Sequence, residues 1–411
     1  PNSVKEFINN RFTPLTEEER GDANYDLIRA TVNLTAAAIL ISIGTQLKLP
    51  LSTTYVVFMV SMGSSLADRA WGRESAVYRI TGVPSNIAIV KYWGKHDKQL
   101  PNNPSISFTL SNCFTETKVR YNTKTQIDKG TVPISIDFYF EGKENHAFKT
   151  KIEKYLNENL QYFSFLKGLH LKIESYNSFP HSSGIASSAS SMSALVMCLL
   201  EIKYKGNDID LQEASFLSRL ASGSAARSVY PTMALWGKTP SLSNSSDEFA
   251  VPIGDMIHPI FKTYHDTILI VSSKEKSVSS RAGHSLMNNH PMADARYATA
   301  RKNTQDLLTI LKQGDLEGFI NIAESEANQL HNLMASSTPS YTLKEPNTIK
   351  IIDEILKFRK ETLLPICYTL DAGPNVHLLY PDSCSEKVHY FIDEVLKNYC
   401  FNNKYIDDKV S

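Results

Sequence analysis

A chain of 411 residues, 42% hydrophobic and 21% charged, has an ordinary globular composition and enough length for two or three domains with real cores. Its 43 Lys and Arg balance 43 Asp and Glu, which excludes a global field that would draw it to nucleic acid or a membrane surface, so its cations must act locally. The five cysteines, Cys113, Cys198, Cys367, Cys384 and Cys400, show no paired spacing, which suits a reducing, cytoplasmic setting; no Cys/His cluster with metal-ligand spacing is visible.

Two charge-free runs open the chain, ATVNLTAAAILISIGTQL between Arg29 and Lys48 and LPLSTTYVVFMVSMGSSLA between Lys48 and Asp68. Each is close to the length of a membrane span, about 20 residues. The acidic, polar segment ahead of them excludes a signal peptide. The stretch Thr31–Val83, with KLPLSTTYVVFMVSMGSSLADRAWGRESAVYRITGV at its heart, resembles a fragment of an inorganic phosphate transporter of the PiT-type permease class. Such a fragment, two spans at most, implies a fused or chimeric reading frame and membrane contact only if the extension is genuine. The plainer reading is a helical extension on an enzyme.

From Pro84 the text changes. Ile87 and Ile89, with Tyr78–Val83 before them, read as strand, followed by the cationic and aromatic cluster Lys91, Tyr92, Trp93, Gly94 and Lys95. Two lysines around a glycine can hold phosphate oxygens, although lysines at a strand end are usually solvated. Ile134, Ile136, Phe138 and Phe140 alternate as a strand, with a hairpin return expected through Ala147–Ile152. Leu169, Leu171 and Ile173 form another strand. Next comes the Ser-rich turn SFPHSSGIASSAS, whose Ile185, Ala189, Met192, Val196 and Leu199 predict one face of a helix. Small residues at a helix start let backbone N–H groups crowd an anion. No Walker A Gly-Lys-Ser/Thr is present, so this is a phosphate loop of another design or simply a capped turn.

Asp210 and Glu213 predict a helix N-terminal box. In ASGSAARSVY, Ser222, Ser224 and Arg227 can meet one ligand, the guanidinium supplying a fork for carboxylate or phosphate. VSSKEKSVSSRAGH repeats that chemistry with Ser280 and Arg281. TLDAGPNVHLLYP predicts strand, turn and returning strand, with Asp371 at the strand end; an Asp there is otherwise a turn former.

The strings PSNIAIVKYWGK, SFPHSSGIASSAS, ASGSAARS, SSRAG and LDAGPN, in this order, resemble the diphosphomevalonate decarboxylase family of the GHMP kinase superfamily, from Pro84 to the C-terminus. The resemblance implies an α+β, GHMP kinase-like two-lobed fold, with a ribosomal protein S5 domain 2-like N-terminal lobe over 76–255, a ferredoxin-like C-terminal lobe over 256–411, and a helical, apolar extension over 1–75. Asp371 then matches the essential aspartate near the substrate's 3-hydroxyl. Lys91 matches the lysine near the transferred phosphate, Arg227 the arginine that engages the carboxylate, and Asn86 the asparagine that orients it. Ser188 matches the phosphate-loop serine, with Gly184, Ile185, Ala186, Ser187 and Ala189 beside it at the nucleotide. Tyr92, Trp93, Lys95, Ser222 and Ser224 match substrate-binding positions, and Ser280 with Arg281 the pair at the diphosphate. His181-Ser182-Ser183 and Pro231-Thr232 depart from the commoner residues without altering the chemistry.

The activity that this resemblance implies is ATP- and Mg2+-dependent decarboxylation of mevalonate 5-diphosphate to isopentenyl diphosphate by a cytoplasmic homodimer, with no protein metal ligands and no nucleic-acid partner. The alternatives are a GHMP small-molecule kinase that stops after phosphorylation, an inactive binding protein, or a non-functional transporter fragment fused to an enzyme.

Overall fold

The computed structural model describes residues 22–46, 56–57, 60, 78–123, 134–180, 185–205, 207–274 and 278–411. The chain divides into two units, Pro1–Val77 and Tyr78–Ser411.

In the first unit, helix α1 (Asp22–Gln46) contains the first charge-free run almost entire. Its Thr35, Ser42 and Thr45 hydroxyls donate to carbonyls one turn back, which satisfies them without a partner helix. Among the described residues, no helix is long and apolar enough to cross a membrane. The second run lies almost wholly outside the described residues.

The second unit is α+β and two-lobed. Its N-terminal lobe contains strands β1 (Tyr78–Val90), β4 (Ser105–Thr123), β5 (Ser135–Phe140), β6 (Lys143–Glu144), β7 (Leu169–Asn177), β8 (Met233–Trp236) and β9 (Ala250–Pro252); the short β2 (Lys95–His96) and β3 (Leu100–Pro101) form a separate hairpin. The sheet runs β6-β5-β7-β4-β8-β9, with β1 pairing antiparallel to β4. Tyr78–Val83 does supply the start of β1, pairing Tyr78 with Arg120. Register shifts between Pro84 and Asn86 and between Ala88 and Val90 bend the strand just before Lys91. The return expected at Ala147–Ile152 is instead confined to β6, and helix α2 (His146–Glu158) follows. Asn145 caps it by accepting from the Phe148 amide, and the buried Ile152, Tyr155 and Leu156 give it a helical apolar face.

Helix α3 (Ser187–Tyr204) follows the Ser-rich turn, and α4 (Leu211–Ala221) packs beside it. Ile185 falls ahead of α3 rather than on its face. It is buried with β1 and β4, while Ala189, Met192, Val196 and Leu199 pack with α2, β5 and β7. Asp210 caps α4 through the Gln212 and Glu213 amides, while the Glu213 carboxylate turns away to Lys203 and Tyr204.

The C-terminal lobe contains β10 (His265–Leu269), α5 (Ser280–Ser285), α6 (Ala293–Gln313), α7 (Leu316–Ser336), α8 (Pro346–Thr362), β11 (Cys367–Thr369), β12 (Val376–Tyr380), α9 (Ser385–Glu394) and β13 (Tyr405–Lys409). Its antiparallel sheet runs β11-β12-β10-β13. One apolar core holds both lobes, bringing Ile87, Phe108 and Leu235 together with Ile268, Leu379, Leu307 and Phe319. Each such side chain contributes about 1.5–3 kcal/mol on burial. The C-terminus adds polar stitching. The Asp408 carboxylate accepts from the amides of Ser111, Asn112 and Cys113, and the Ser411 amide donates to Thr109.

Candidate active site

Lys91 closes β1, and its surroundings explain why a lysine is held there. Its side chain is 2% exposed, with Nζ 3.0 Å from Asp371 Oδ1. Its backbone amide donates to Glu326 Oε2 at 2.8 Å, and its carbonyl accepts from Asn103 at 3.0 Å and from Arg296 at 3.3 Å. Glu326 and Arg296, on α7 and α6, are themselves a buried ion pair, with Asn303 also donating to Glu326. Two helices of the C-terminal lobe thus grip both backbone groups of a residue from the N-terminal lobe.

Asp371 sits in the turn between β11 and β12. Its carbonyl accepts from His331 Nε2 at 3.1 Å. Burial lowers the His331 pKa to about 4, so the neutral ring acts as a fixed donor. The unfolded chain takes up that proton more readily, so this residue's contribution to stability is present above about pH 6.5 and is lost as pH falls toward 4.

Arg227 lies in a 3₁₀ turn (Gly223–Arg227) directly after α4. Its Nε donates to Ser107 Oγ at 2.9 Å, Nη1 to Ser105 Oγ at 2.6 Å and Nη2 to Asn86 Oδ1 at 3.3 Å. Burial lowers its pKa to about 10, opposed by the Asp371 charge. Three of its five N–H groups fix the guanidinium plane, and one on each Nη remains for a ligand. Asn86 is fully committed to this task, since its amide donates to the Ser224 carbonyl and Ser228 Oγ.

These groups line one cavity of about 590 Å3, together with Tyr92, Trp93, Lys95, Ala186, Ser187, Ser188, Ser222, Ser224, Ser280 and Arg281. Of the residues singled out in the sequence, Ile185 and Ala189 are buried beside it rather than lining it, and Gly184 lies outside the described residues. Ala186 takes the left-handed conformation at the N-terminus of α3, and among the described residues no side chain caps that helix. A helix start without a side-chain cap offers amide donors and a positive dipole end to an anion.

Several lining groups carried no signal of their own. Lys151 reaches the cavity because 146–158 is a helix, which sets Ala147, Phe148 and Lys151 on its cavity side. Burial lowers the pKa values of Lys95 and Lys151, and like charge adds to it: Arg281 acts on Lys95, and Arg281 and Lys95 act on Lys151. Three cations that repel one another in a cavity form a site for a multiply charged anion. The His284 ring packs at a tilt against Tyr92 and Trp93, with centroids 4.5 and 4.6 Å away, and accepts from the Gly94 amide at 3.0 Å, with its pKa lowered to about 3 by burial. The Tyr92 hydroxyl is buried and has no partner among the described residues, and burial pushes its pKa up, so it remains an O–H donor.

Gly223 meets this aromatic wall closely. A Cβ there would stand 2.7 Å from Tyr92 Oη and 2.8 Å from Trp236. Gly223→Ala should therefore lower kcat/KM by about 10²-fold, the scale of an ångström-sized misplacement, with the melting temperature measured alongside. Unchanged kinetics would show that the wall gives way without cost.

Comparisons with known proteins identify the family. Residues 83–248 match the family model of the diphosphomevalonate decarboxylase-like N-terminal domain, and residues 267–410 that of the mevalonate 5-diphosphate decarboxylase C-terminal domain. The diphosphomevalonate decarboxylase of Debaryomyces hansenii is 30% identical over 319 residues, covering 74% of this chain and 80% of the relative. Mevalonate diphosphate decarboxylase from Staphylococcus aureus superposes with a TM-score of 0.70 at 28% identity, over 82% of this chain and 97% of that one. MDDEF in complex with MVAPP, AMPPCP and magnesium gives a TM-score of 0.68 at 25% identity, over 82% and 98%. Both family models fall within the Tyr78–Ser411 unit and leave only a short gap between them, and on these matches the chain belongs to the diphosphomevalonate decarboxylase family.

Proposed function

We propose that the chain catalyses ATP-dependent decarboxylation of mevalonate 5-diphosphate to isopentenyl diphosphate, releasing ADP, phosphate and CO2. The observation that carries this reading is the Lys91–Asp371 pair facing the same cavity as the fixed guanidinium of Arg227. The diphosphate of the substrate is held by Lys95, Lys151 and Arg281, whose mutual repulsion it relieves, with the unpartnered Tyr92 hydroxyl as a further donor. The substrate carboxylate meets the two remaining N–H groups of Arg227.

ATP and Mg2+ suit the groups present, since α3 opens on the cavity without a side-chain cap and Ser187 and Ser188 line it. A relative bound with MVAPP, AMPPCP and magnesium supports the same co-reactants here. Magnesium keeps several waters and binds largely through substrate phosphates, so the ATP phosphates would hold it here. When bound, MgATP supplies the phosphoryl group that makes the tertiary hydroxyl a leaving group. Lys91 holds Asp371 Oδ1, which leaves Oδ2 to accept the hydroxyl proton. Once the 3-oxygen departs, the carboxylate leaves as CO2 and its C–C electron pair becomes the alkene. The proton passes from Asp371 to the 3-phosphate, which leaves as hydrogen phosphate, and the regained Asp371 charge stabilises positive charge developing at C3.

Incubating the protein with MgATP and mevalonate 5-diphosphate should give ADP, phosphate and CO2 in equal amounts. ADP without CO2 would make the protein a kinase of the same fold. Arg227→Lys should lower kcat/KM by about 10²-fold or more, because an ammonium cannot reproduce a forked contact and would leave Ser105 and Ser107 without their donor. Unchanged kinetics would remove Arg227 from the site.

A cytoplasmic homodimer belongs to the same proposal. Ile349, Leu356 and Leu363, spaced by seven along and just past α8, are exposed and support contact with a second copy, measurable by sedimentation.

A further inference from the structure

Residues 265, 389 and 407 are remote in sequence, yet one potential ligand atom from each of His265, His389 and Asp407 lies within 4.8 Å of the others. The sheet explains the convergence. His265 begins β10, Thr267 pairs with Asp407 on β13, and His265 pairs with Tyr380 on β12, so all these side chains share one face. Helix α9 brings His389 to that face, with Nε2 3.2 Å from both Asp407 Oδ2 and the Tyr380 hydroxyl.

We propose that this cluster is a binding site for a borderline divalent transition metal of the zinc class, distinct from the magnesium of the active cavity. Two imidazoles and a carboxylate favour such a metal over the hard, oxygen-seeking magnesium ion. Zinc bonds of about 2.0–2.1 Å place tetrahedral donors about 3.3–3.5 Å apart, so the 3.2 Å between His389 and Asp407 is already close to that spacing. The His265 donor, within 4.8 Å, has only a short distance to close.

The surroundings are those of a supported site. Thr267 Oγ1 donates to Asp407 Oδ1 at 3.1 Å, leaving Oδ2 toward His389. The His265 ring is stacked on Tyr380 at 4.8 Å with planes 10° apart, and Asp382 Oδ1 stands 2.9 Å from its Nε2, which orients the ring. Partners of this kind fix ring and carboxylate orientation around a metal. All five cysteines are buried, so thiols do not compete for the ion. None of the cluster lines the active cavity. A bound ion would tie β10, α9 and β13 together beside the Asp408 stitching.

The test uses chelator-treated, dialysed full-length protein and Zn2+ alone, with affinity measured by competition against a chromogenic chelator. One zinc per chain is expected, with a rise in melting temperature. His389→Ala and Asp407→Asn should each weaken binding by more than about tenfold and abolish the thermal shift, while decarboxylation in excess Mg2+ is unchanged. Substituting Co2+ should give the visible absorption bands of a low-coordinate site in the wild type and lose them in both variants. Equal zinc affinity in wild type and variants, or no stoichiometric binding, would overturn the proposal. Neither result bears on the decarboxylase reading, which the Mg2+ assay tests separately.

Discussion

Asp371→Asn should lower both ADP formation and CO2 release by at least about 10³-fold while leaving the affinity for mevalonate 5-diphosphate within about tenfold. The amide keeps an oxygen to accept from Lys91 Nζ, now 3.0 Å away, so the turn between β11 and β12 should hold its shape. His331 donates to the Asp371 backbone carbonyl rather than to its side chain, so that anchor is untouched. What disappears is the negative charge that takes the hydroxyl proton and later faces the positive centre. Measuring the two products in parallel separates the roles. Normal ATP turnover without CO2 would confine Asp371 to the elimination step, and survival of both activities would refute the site as described.

Glu326→Ala should cost about 3–5 kcal/mol of stability, because it strands Arg296 in a site where that side chain is 2% exposed. Set against a typical total of about 5–15 kcal/mol, this is a large fall in melting temperature. Replacing both charges, with Glu326→Leu and Arg296→Met, should recover much of the stability, as buried ion pairs exchanged for apolar groups often do. It should not recover turnover. The Lys91 amide would still lack its acceptor and the carbonyl one of its two donors, so the lysine would no longer be held against Asp371. A double variant with normal kcat would show that the clamp serves folding alone.

The five polar strings were legible because each is short, contiguous and placed at the end of an apolar segment, where a turn must present side chains. Asp371, Lys91, Arg227 and Ser188 do meet around one cavity, as their strings suggested. Arg296 and Glu326 were not legible. Arg296 sits in the first turn of α6 and Glu326 midway along α7, 30 residues apart, and a buried charge in a helical stretch reads like a solvated one until its partner is seen. Lys151 was hidden by a misread period: six residues from Ala147 to Ile152 cannot separate a strand from a helix, whereas Phe148, Ile152, Tyr155 and Leu156 together do. Ile185 reads as part of the helix face because the helical spacing extends two residues ahead of the helix's actual start. Much of the PiT-like stretch falls outside the described residues, and among those described no helix is long and apolar enough to cross a membrane.

The cation cluster of Lys95, Lys151 and Arg281 has a consequence for the end of the catalytic cycle. Isopentenyl diphosphate keeps the whole diphosphate and loses the 3-hydroxyl and the carboxylate that Arg227 would hold. Lysines and an arginine that attract the substrate therefore retain the product by nearly the same electrostatic grip, and the departing molecule must pull free of it. Accumulating product should compete with fresh substrate for the same cations, and raising the ionic strength should speed its release while slowing capture. Throughput would then depend on how quickly a downstream reaction removes a small unsaturated diphosphate from solution.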